Sequence, residues 1–289
     1  MHAVRRGWIN GLVGVVIFAG SLPATRLAVI DLAPLFLTAA RAAIAGLLAA
    51  GLLLICRPPR PGRKKLPRLL MVTSGVVIGF PLLTALALQR VSSAHSIVFL
   101  GLLPLATALF AVLRGESRPR PLFWLFSVLG SACVAGYALR GAGRGSWTGD
   151  MLMLAAVIVC GLGYAEGARL SRRLGGWQVI SWALVLALPL TLPLSLIERP
   201  ARLAEVGLPA WLALAYVALF SMLIGFVFWY RGLAQGGVAA VGQLQLLQPF
   251  LGLALAAVLL DEPVDTSMVL ASALAVACVA ASKRFAAPA

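Results

Sequence analysis

The sequence predicts an all-α integral membrane protein, with ten transmembrane helices as two inverted five-helix repeats. Three observations predict it. Of 289 residues, 61% are hydrophobic and only 11% are charged, whereas a soluble domain carries about a quarter of its residues as charge to cover its surface. The apolar residues fall in blocks of about 20, the length that crosses a ~30 Å hydrocarbon layer as a helix. Two of those blocks, far apart in the chain, read alike.

In order, the blocks run Trp8 to Ile30, Ala33 to Cys56, Leu69 to Gln89, Ser92 to Leu113, Leu122 to Leu139, Met151 to Leu170, Trp177 to Ile197, Pro209 to Tyr230, Val238 to Leu260 and Thr266 to Ala281. Backbone polar groups in lipid must be satisfied within the protein, so unbroken apolar runs of this length are helices. The opening run is too long for a cleaved signal peptide, and Asp31 with Pro34 is no small-residue cleavage site, so the first block reads as a retained span.

Ten spans put both termini on one side, and 17 of the 24 basic residues fall on that side. They include the segment RPPRPGRKKLPR after the second span, with Arg114, Arg118 and Arg120 after the fourth. The positive-inside rule makes that side cytoplasmic. The basic segment reads as an orientation signal touching anionic lipid; with no nucleic-acid-reading module beside it, nucleic acid is not an expected partner. Trp8, Trp124, Trp177 and Trp229 fall at the predicted cytoplasmic interface, and Trp147 and Trp211 at the outer one, as an aromatic belt. Trp182 sits too deep for that role. Cys56, Cys133, Cys160 and Cys278 lie in or at the ends of spans and read as small buried hydrophobes.

The two similar stretches are SSAHSIVFLGLLPLATALFAVLRGE, Ser92 to Glu116, and GVAAVGQLQLLQPFLGLALAAVLLDE, Gly237 to Glu262. Each opens on small residues, passes a proline (Pro104, Pro249) and closes on an acid. Gly79-Phe80 and Gly225-Phe226 share nearly the same spacing. The boundary falls at 1–141 and 142–289. Five spans per half is odd, so the second half enters from the opposite side; two inverted copies can present one site alternately to either face. A duplicated but inert bundle is the alternative. Pro104 frees the carbonyl of Leu100, and Pro249 that of Gln245, so both kinks belong beside packed protein or a cavity. The glycines nearby read as close-packing positions.

A few polar side chains lie too deep for lipid. Arg41 is eight residues into its span, ~12 Å down, where a guanidinium costs roughly 2.5–3.5 kcal/mol on insertion scales. It is either a structural pair with Asp31 or a kinked helix's carbonyls, or a contact for an anion or carboxylate. Arg26 snorkels to the outer interface, with help from Asp31. Glu166 reads as an i, i+3 partner of Arg169, or as a protonatable coupling group. Gln245 and Gln248 share a helical face and offer a neutral polar lining, with Gln243 close by. His95, near the outer end of its span, reads as a solvated histidine or a titrating one. Phe80, Tyr164, Phe226 and Trp182 read as packing residues or as walls of an apolar site.

Nothing in the chain is an enzymatic constellation: no paired carboxylates in a span, no HExxH, no phosphate loop and no nucleophilic serine with a base. No cofactor or metal is expected.

The run TAARAAIAGLLAA around Arg41, SSAHS leading to Pro104, Gly115-Glu116, and RGLAQGGVAAVGQLQLLQPFLGLALAAVLLDEP together resemble the drug/metabolite transporter superfamily, in its EamA-type ten-span branch. The resemblance implies a secondary carrier of the bacterial inner membrane, both termini cytoplasmic, with a cavity formed mainly by spans 1, 3, 4, 6, 8 and 9. The expected function is export of small organic solutes, amino-acid-like or amphiphilic, by alternating access. Arg41, Phe80, His95, Tyr164, Phe226, Gln245 and Gln248 are the candidate substrate-binding residues; Pro104, Pro249, Glu166 and Arg169 are candidate structural or gating ones. Protons or a counter-solute are candidate coupling partners, lipid surrounds the bundle, and the oligomeric state is left open, a monomer being plausible. An uptake carrier or exchanger is the alternative within this class; a non-transporting receptor or scaffold is the alternative outside it.

Overall fold

The computed structural model describes residues 2–114, 120–141, 146–236 and 241–285. Gly115-Glu116, Arg118 and Arg144 lie outside the described residues, as does the start of the second similar stretch at 237–240; the side chain of Gln243 is likewise not described. Among the described residues the secondary structure is helical throughout, with no strand.

Helix α1 (His2–Ala19) turns at Gly20 and continues as α2 (Ser21–Asp31); Pro23 has no N–H for the carbonyl of Ala19, which weakens the ladder there. Helix α3 (Pro34–Cys56) starts on a proline suited to the first turn. It ends where Arg57 turns left-handed, φ 44°, returning its N–H to Leu53 O at 2.9 Å; Pro58 and Pro59 then prevent continuation.

The next helix is composite: α4 (Leu66–Val72), a π-helical segment Thr73–Gly79, and α5 (Phe80–Leu88). Helix α6 (Ser93–Phe99) is joined to α7 (Leu103–Leu113) through a 3₁₀ turn at Leu100–Leu102, just before Pro104. Helices α8 (Pro121–Gly141), α9 (Trp147–Leu174) and α10 (Gly176–Ile197) follow. Helix α11 (Leu208–Tyr216) passes through a second π-helical segment, Val217–Ile224, into α12 (Gly225–Gly236). A second 3₁₀ segment, Gly242–Leu247, precedes Pro249 and α13 (Gln248–Leu260), and α14 (Thr266–Arg284) closes the order.

Seven of the continuous described helices are long and apolar enough to cross a bilayer: Arg5–Asp31, Pro34–Cys56, Arg63–Leu88, Ser93–Leu113, Trp147–Leu174, Gly176–Ile197 and Leu208–Gly236. Leu244–Leu260 and Thr266–Cys278 are shorter apolar helices.

The main helix contacts pair α3 with α10, α1 with α12, α8 with α14, and α5 and α7 with α9. Each joins the first part of the chain to the second, so the core lies between them. Close approach through glycine makes this possible. A Cβ on Gly232 of α12 would lie 2.7 Å from Gly11 N and 2.9 Å from Gly11 Cα of α1. Backbone cannot yield as a side-chain tip can, so Gly232→Val is expected to lose about 1–3 kcal/mol or more by overpacking. Gly51, with nothing within 4 Å of an added Cβ, is the control: Gly51→Ala gains about 0.8–1 kcal/mol of helix propensity. Thermal unfolding of the two variants in detergent checks both signs.

Two expectations are corrected, one of a belt residue and one of a buried cysteine. Trp229 is 1% exposed and packs edge-on to Phe18 at 6.3 Å; the α1–α12 contact has drawn it into the core. Cys56, expected as a buried hydrophobe, is exposed as the last residue of α3. Leu54 and Ile55 beside it are 75% and 83% exposed, an apolar surface suited to lipid.

Candidate functional site

Where the two parts of the chain meet, a narrow cavity of about 20 Å³ is lined by Phe18, Ser21, Leu22, Arg41, Val76, Phe80, Pro81, Leu103, Tyr164, Ser221, Met222, Phe226 and Gln248. The irregular backbone of the bundle surrounds it. Gly79 ends the first π segment and Phe80 follows; Ile224 ends the second, and Gly225-Phe226 follow. Each π turn widens the helix by one residue, a device common at functional sites. The two phenylalanines thus reach one cavity from corresponding places in the chain.

Arg41 is 5% exposed. Its Nη2 donates to Ser221 Oγ at 3.3 Å, and Ser221 Oγ lies 2.7 Å from Ser21 Oγ. The Arg41 Nε is buried with no hydrogen-bond partner. Gln248 Nε2 donates to Phe18 O at 3.4 Å, using the last carbonyls before the Gly20 break. The wall opposite is aromatic: Phe226 stacks at a tilt on Phe18 (4.9 Å) and edge-on to Tyr164 (5.9 Å).

Of the expected binding residues, Arg41, Phe80, Tyr164, Phe226 and Gln248 are brought together here. Gln245 and His95 are not among the lining residues. Gln245 is 2% exposed with its Nε2 unpartnered; it lies in the 3₁₀ segment rather than in regular helix, which alters the face it was expected to share with Gln248. Phe18, Ser21 and Ser221 were missed. Gly20-Ser21 before Pro23 was the one available signal, a polar residue at a weakened turn; Ser221 gave none, since a serine in an apolar run normally bonds its own helix.

The remaining polar residues tie the helix ends. At the end where the chain begins, Glu166 of α9 is buried and meets Arg114 at 3.2 Å and Arg68 at 3.9 Å. The expected Glu166–Arg169 pair is therefore replaced: Arg169 donates instead to the carbonyl of Arg114 at 2.9 Å. A neighbour on the same helix competes poorly with a cation from a packed helix when the carboxylate faces inward.

At the far end, Glu262 caps α6, accepting from Ser93 N (3.0 Å), Ser93 Oγ and Ala94 N (both 2.7 Å), with Arg26 at 4.0 Å. Arg26 also donates to Leu88 O. Asp31, expected beside Arg26 or Arg41, instead accepts from Gly207 N at 2.9 Å. His95 is buried rather than solvated: Nε2 meets Asp150 at 2.6 Å and Nδ1 meets the Tyr137 hydroxyl at 3.1 Å. No group of three or more potential metal-ligating side chains occurs among the described residues.

Comparison with known proteins places the EamA-like transporter family on residues 5–139 and again on residues 147–282. The uncharacterized transporter YdeK of Bacillus subtilis (strain 168) is 67% identical over 286 residues, covering 99% of this chain and all of that one. A solved crystal structure shares the fold with a TM-score of 0.67 at 19% identity, over 96% of this chain and 97% of its own.

Proposed function

The chain belongs to the EamA-like transporter family, a multi-pass membrane transporter of small solutes, and from that premise we propose that it exports a small organic solute from a bacterial cell by alternating access. The observation that carries this reading is the narrow cavity between the two parts of the chain, walled by π-kinked helices from each. About 20 Å³ holds no organic solute, so substrate binds when the helices around it part at one end, and leaves when they part at the other. The tied ends, at Glu166 and at Glu262, are the two places where they part.

Ten crossings, as inverted repeats of residues 1–141 and 142–289, account for the paired π segments and for the 3₁₀ turn before each of Pro104 and Pro249. The family's separate match to each half supports this boundary. The basic bias of the loops supports cytoplasmic termini. In this reading Arg41, Phe80, Tyr164, Phe226 and Gln248 contact the solute, Gln245 stands beside them, and His95 braces the far end. Pro104 and Pro249 hold the bends, and Glu166 with Arg114 and Arg68 holds the cytoplasmic closure, Arg169 bracing it through the carbonyl of Arg114. Protons or a counter-solute drive the cycle, and one chain in lipid is the working unit.

Counterflow in proteoliposomes is the test. Folded protein loaded with an unlabelled solute accumulates the labelled form, and cells carrying the protein retain less of that solute than cells lacking it. Absence of counterflow with every amino-acid-like and amphiphilic solute offered overturns the carrier reading. Greater retention in the cells overturns export and leaves uptake.

A further inference from the structure

The charge inside the cavity narrows the solute. Arg41 is the cation among the lining residues, and no carboxylate lines the cavity with it. The two buried acids among the described residues are engaged elsewhere, Asp150 with His95 and Glu166 with Arg114 and Arg68, and the half-buried Glu262 holds the start of α6. Among the described residues the Arg41 side chain makes one hydrogen bond, to the neutral Ser221 Oγ, long at 3.3 Å. A guanidinium so buried, with Nε unpartnered, is held at a cost that an anion reverses. Guanidinium matches a carboxylate through paired parallel N–H donors, and its unused donors are what such a match requires.

We propose that this cavity binds an apolar monocarboxylate, its charge against Arg41 and its body against Phe18, Phe80, Tyr164 and Phe226. The proposal rests on the carrier reading and goes past it by excluding two solute classes. A cation meets Arg41 with no acid to offset the repulsion. A zwitterion satisfies Arg41 and then strands its ammonium among aromatic rings and neutral hydroxyls, losing its hydration for little return. Ser21, Ser221 and Gln248 supply hydrogen bonds to the carboxylate oxygens that Arg41 leaves open.

A matched series with one aromatic body tests this: 3-phenylpropionate, phenylalanine, 2-phenylethylamine and 3-phenylpropan-1-ol, each added to the purified full chain in detergent while thermal unfolding is followed. The expected result is stabilisation by 3-phenylpropionate at concentrations at least about tenfold below any needed for the amine or the amino acid. Arg41→Gln removes that preference. Without ligand it unfolds no lower than the parent protein, since it deletes an uncompensated charge. Should Arg41→Gln fail to fold, Ser221→Ala and Gln248→Leu serve, each weakening 3-phenylpropionate several-fold and by more than it weakens the alcohol, since a carboxylate accepts more of these bonds than one hydroxyl.

Equal or tighter binding of the amine or the amino acid overturns the proposal, as does a carboxylate preference that survives in Arg41→Gln, or no binding by any of the four. Counterflow with the same series separates it from the carrier reading. Transport of the amine or the amino acid without the carboxylate sinks the solute class and leaves the carrier. Binding of the carboxylate with no counterflow of any member sinks the carrier and leaves the site.

Discussion

Glu262→Ala will lower the stability of the protein by about 2–4 kcal/mol, read as the midpoint of thermal unfolding in detergent. The carboxylate accepts three hydrogen bonds from Ser93 and Ala94, and bonds to a charged group are worth about 1.5–3 kcal/mol each before overlap is allowed for. They satisfy two backbone N–H groups at the start of α6, where the helix dipole favours an anion. Glu262→Gln keeps the shape and loses the charge, so it falls between. The cap joins α6 to the segment after α13, and its loss also favours parting of the far end. With the native cysteines replaced by serine, a cysteine at Leu103 in the cavity wall will react faster with a polar thiol reagent applied from the far side. About 1.4 kcal/mol of shift is a tenfold change in open population. A variant within about 0.5 kcal/mol of the parent, with unchanged labelling, refutes the role given to Glu262.

Glu166→Ala is expected to act at the opposite end. Glu166 is 1% exposed, but the arginines it meets are 37% exposed. Water takes up part of what the arginines lose, which reduces the cost of breaking a buried pair to about 1–3 kcal/mol. The tie joins α9 to α7 and α4, so its removal favours opening at the end bearing the termini. The Leu103→Cys probe then gains reactivity from that side and not from the far one. Because the two acids lie at opposite ends, with no shared partner, their stability losses add in the double variant. Faster labelling from the far side in Glu166→Ala contradicts the assignment of this pair as a closure.

The site was legible in the sequence in part. Arg41 stood out in the sequence because a guanidinium ~12 Å into an apolar run is too costly to be incidental. Phe80 and Phe226 stood out through their shared glycine and spacing. The partners did not. Asp31 and Arg169 were the near neighbours in sequence, yet Arg41 meets Ser221 and Glu166 meets Arg114 and Arg68. Buried charges take partners from helices packed against them, and sequence spacing reports only the helix they sit on. His95 shows the same limit from the other side. Nearness to a span end suggested solvent, but α9 begins earlier than its apolar block, at Trp147. That extra turn carries Asp150 onto the imidazole.

Composition and periodicity, acting alone, were enough to determined helices in lipid, their order, the bend positions at Pro104 and Pro249, and the basic bias of the loops. Those properties follow from local rules: an apolar run must satisfy its own backbone, and proline cannot donate. Tertiary packing decided the rest. It placed Ser21, Ser221 and Gln248 around Arg41, turned the stretches before Phe80 and Phe226 into π segments, and left one guanidinium in a narrow cavity with no carboxylate among its lining residues. Which groups meet depends on helix contacts made across more than a hundred residues, and on glycine approaches such as that of Gly232 to Gly11. No local pattern in the chain encodes those meetings.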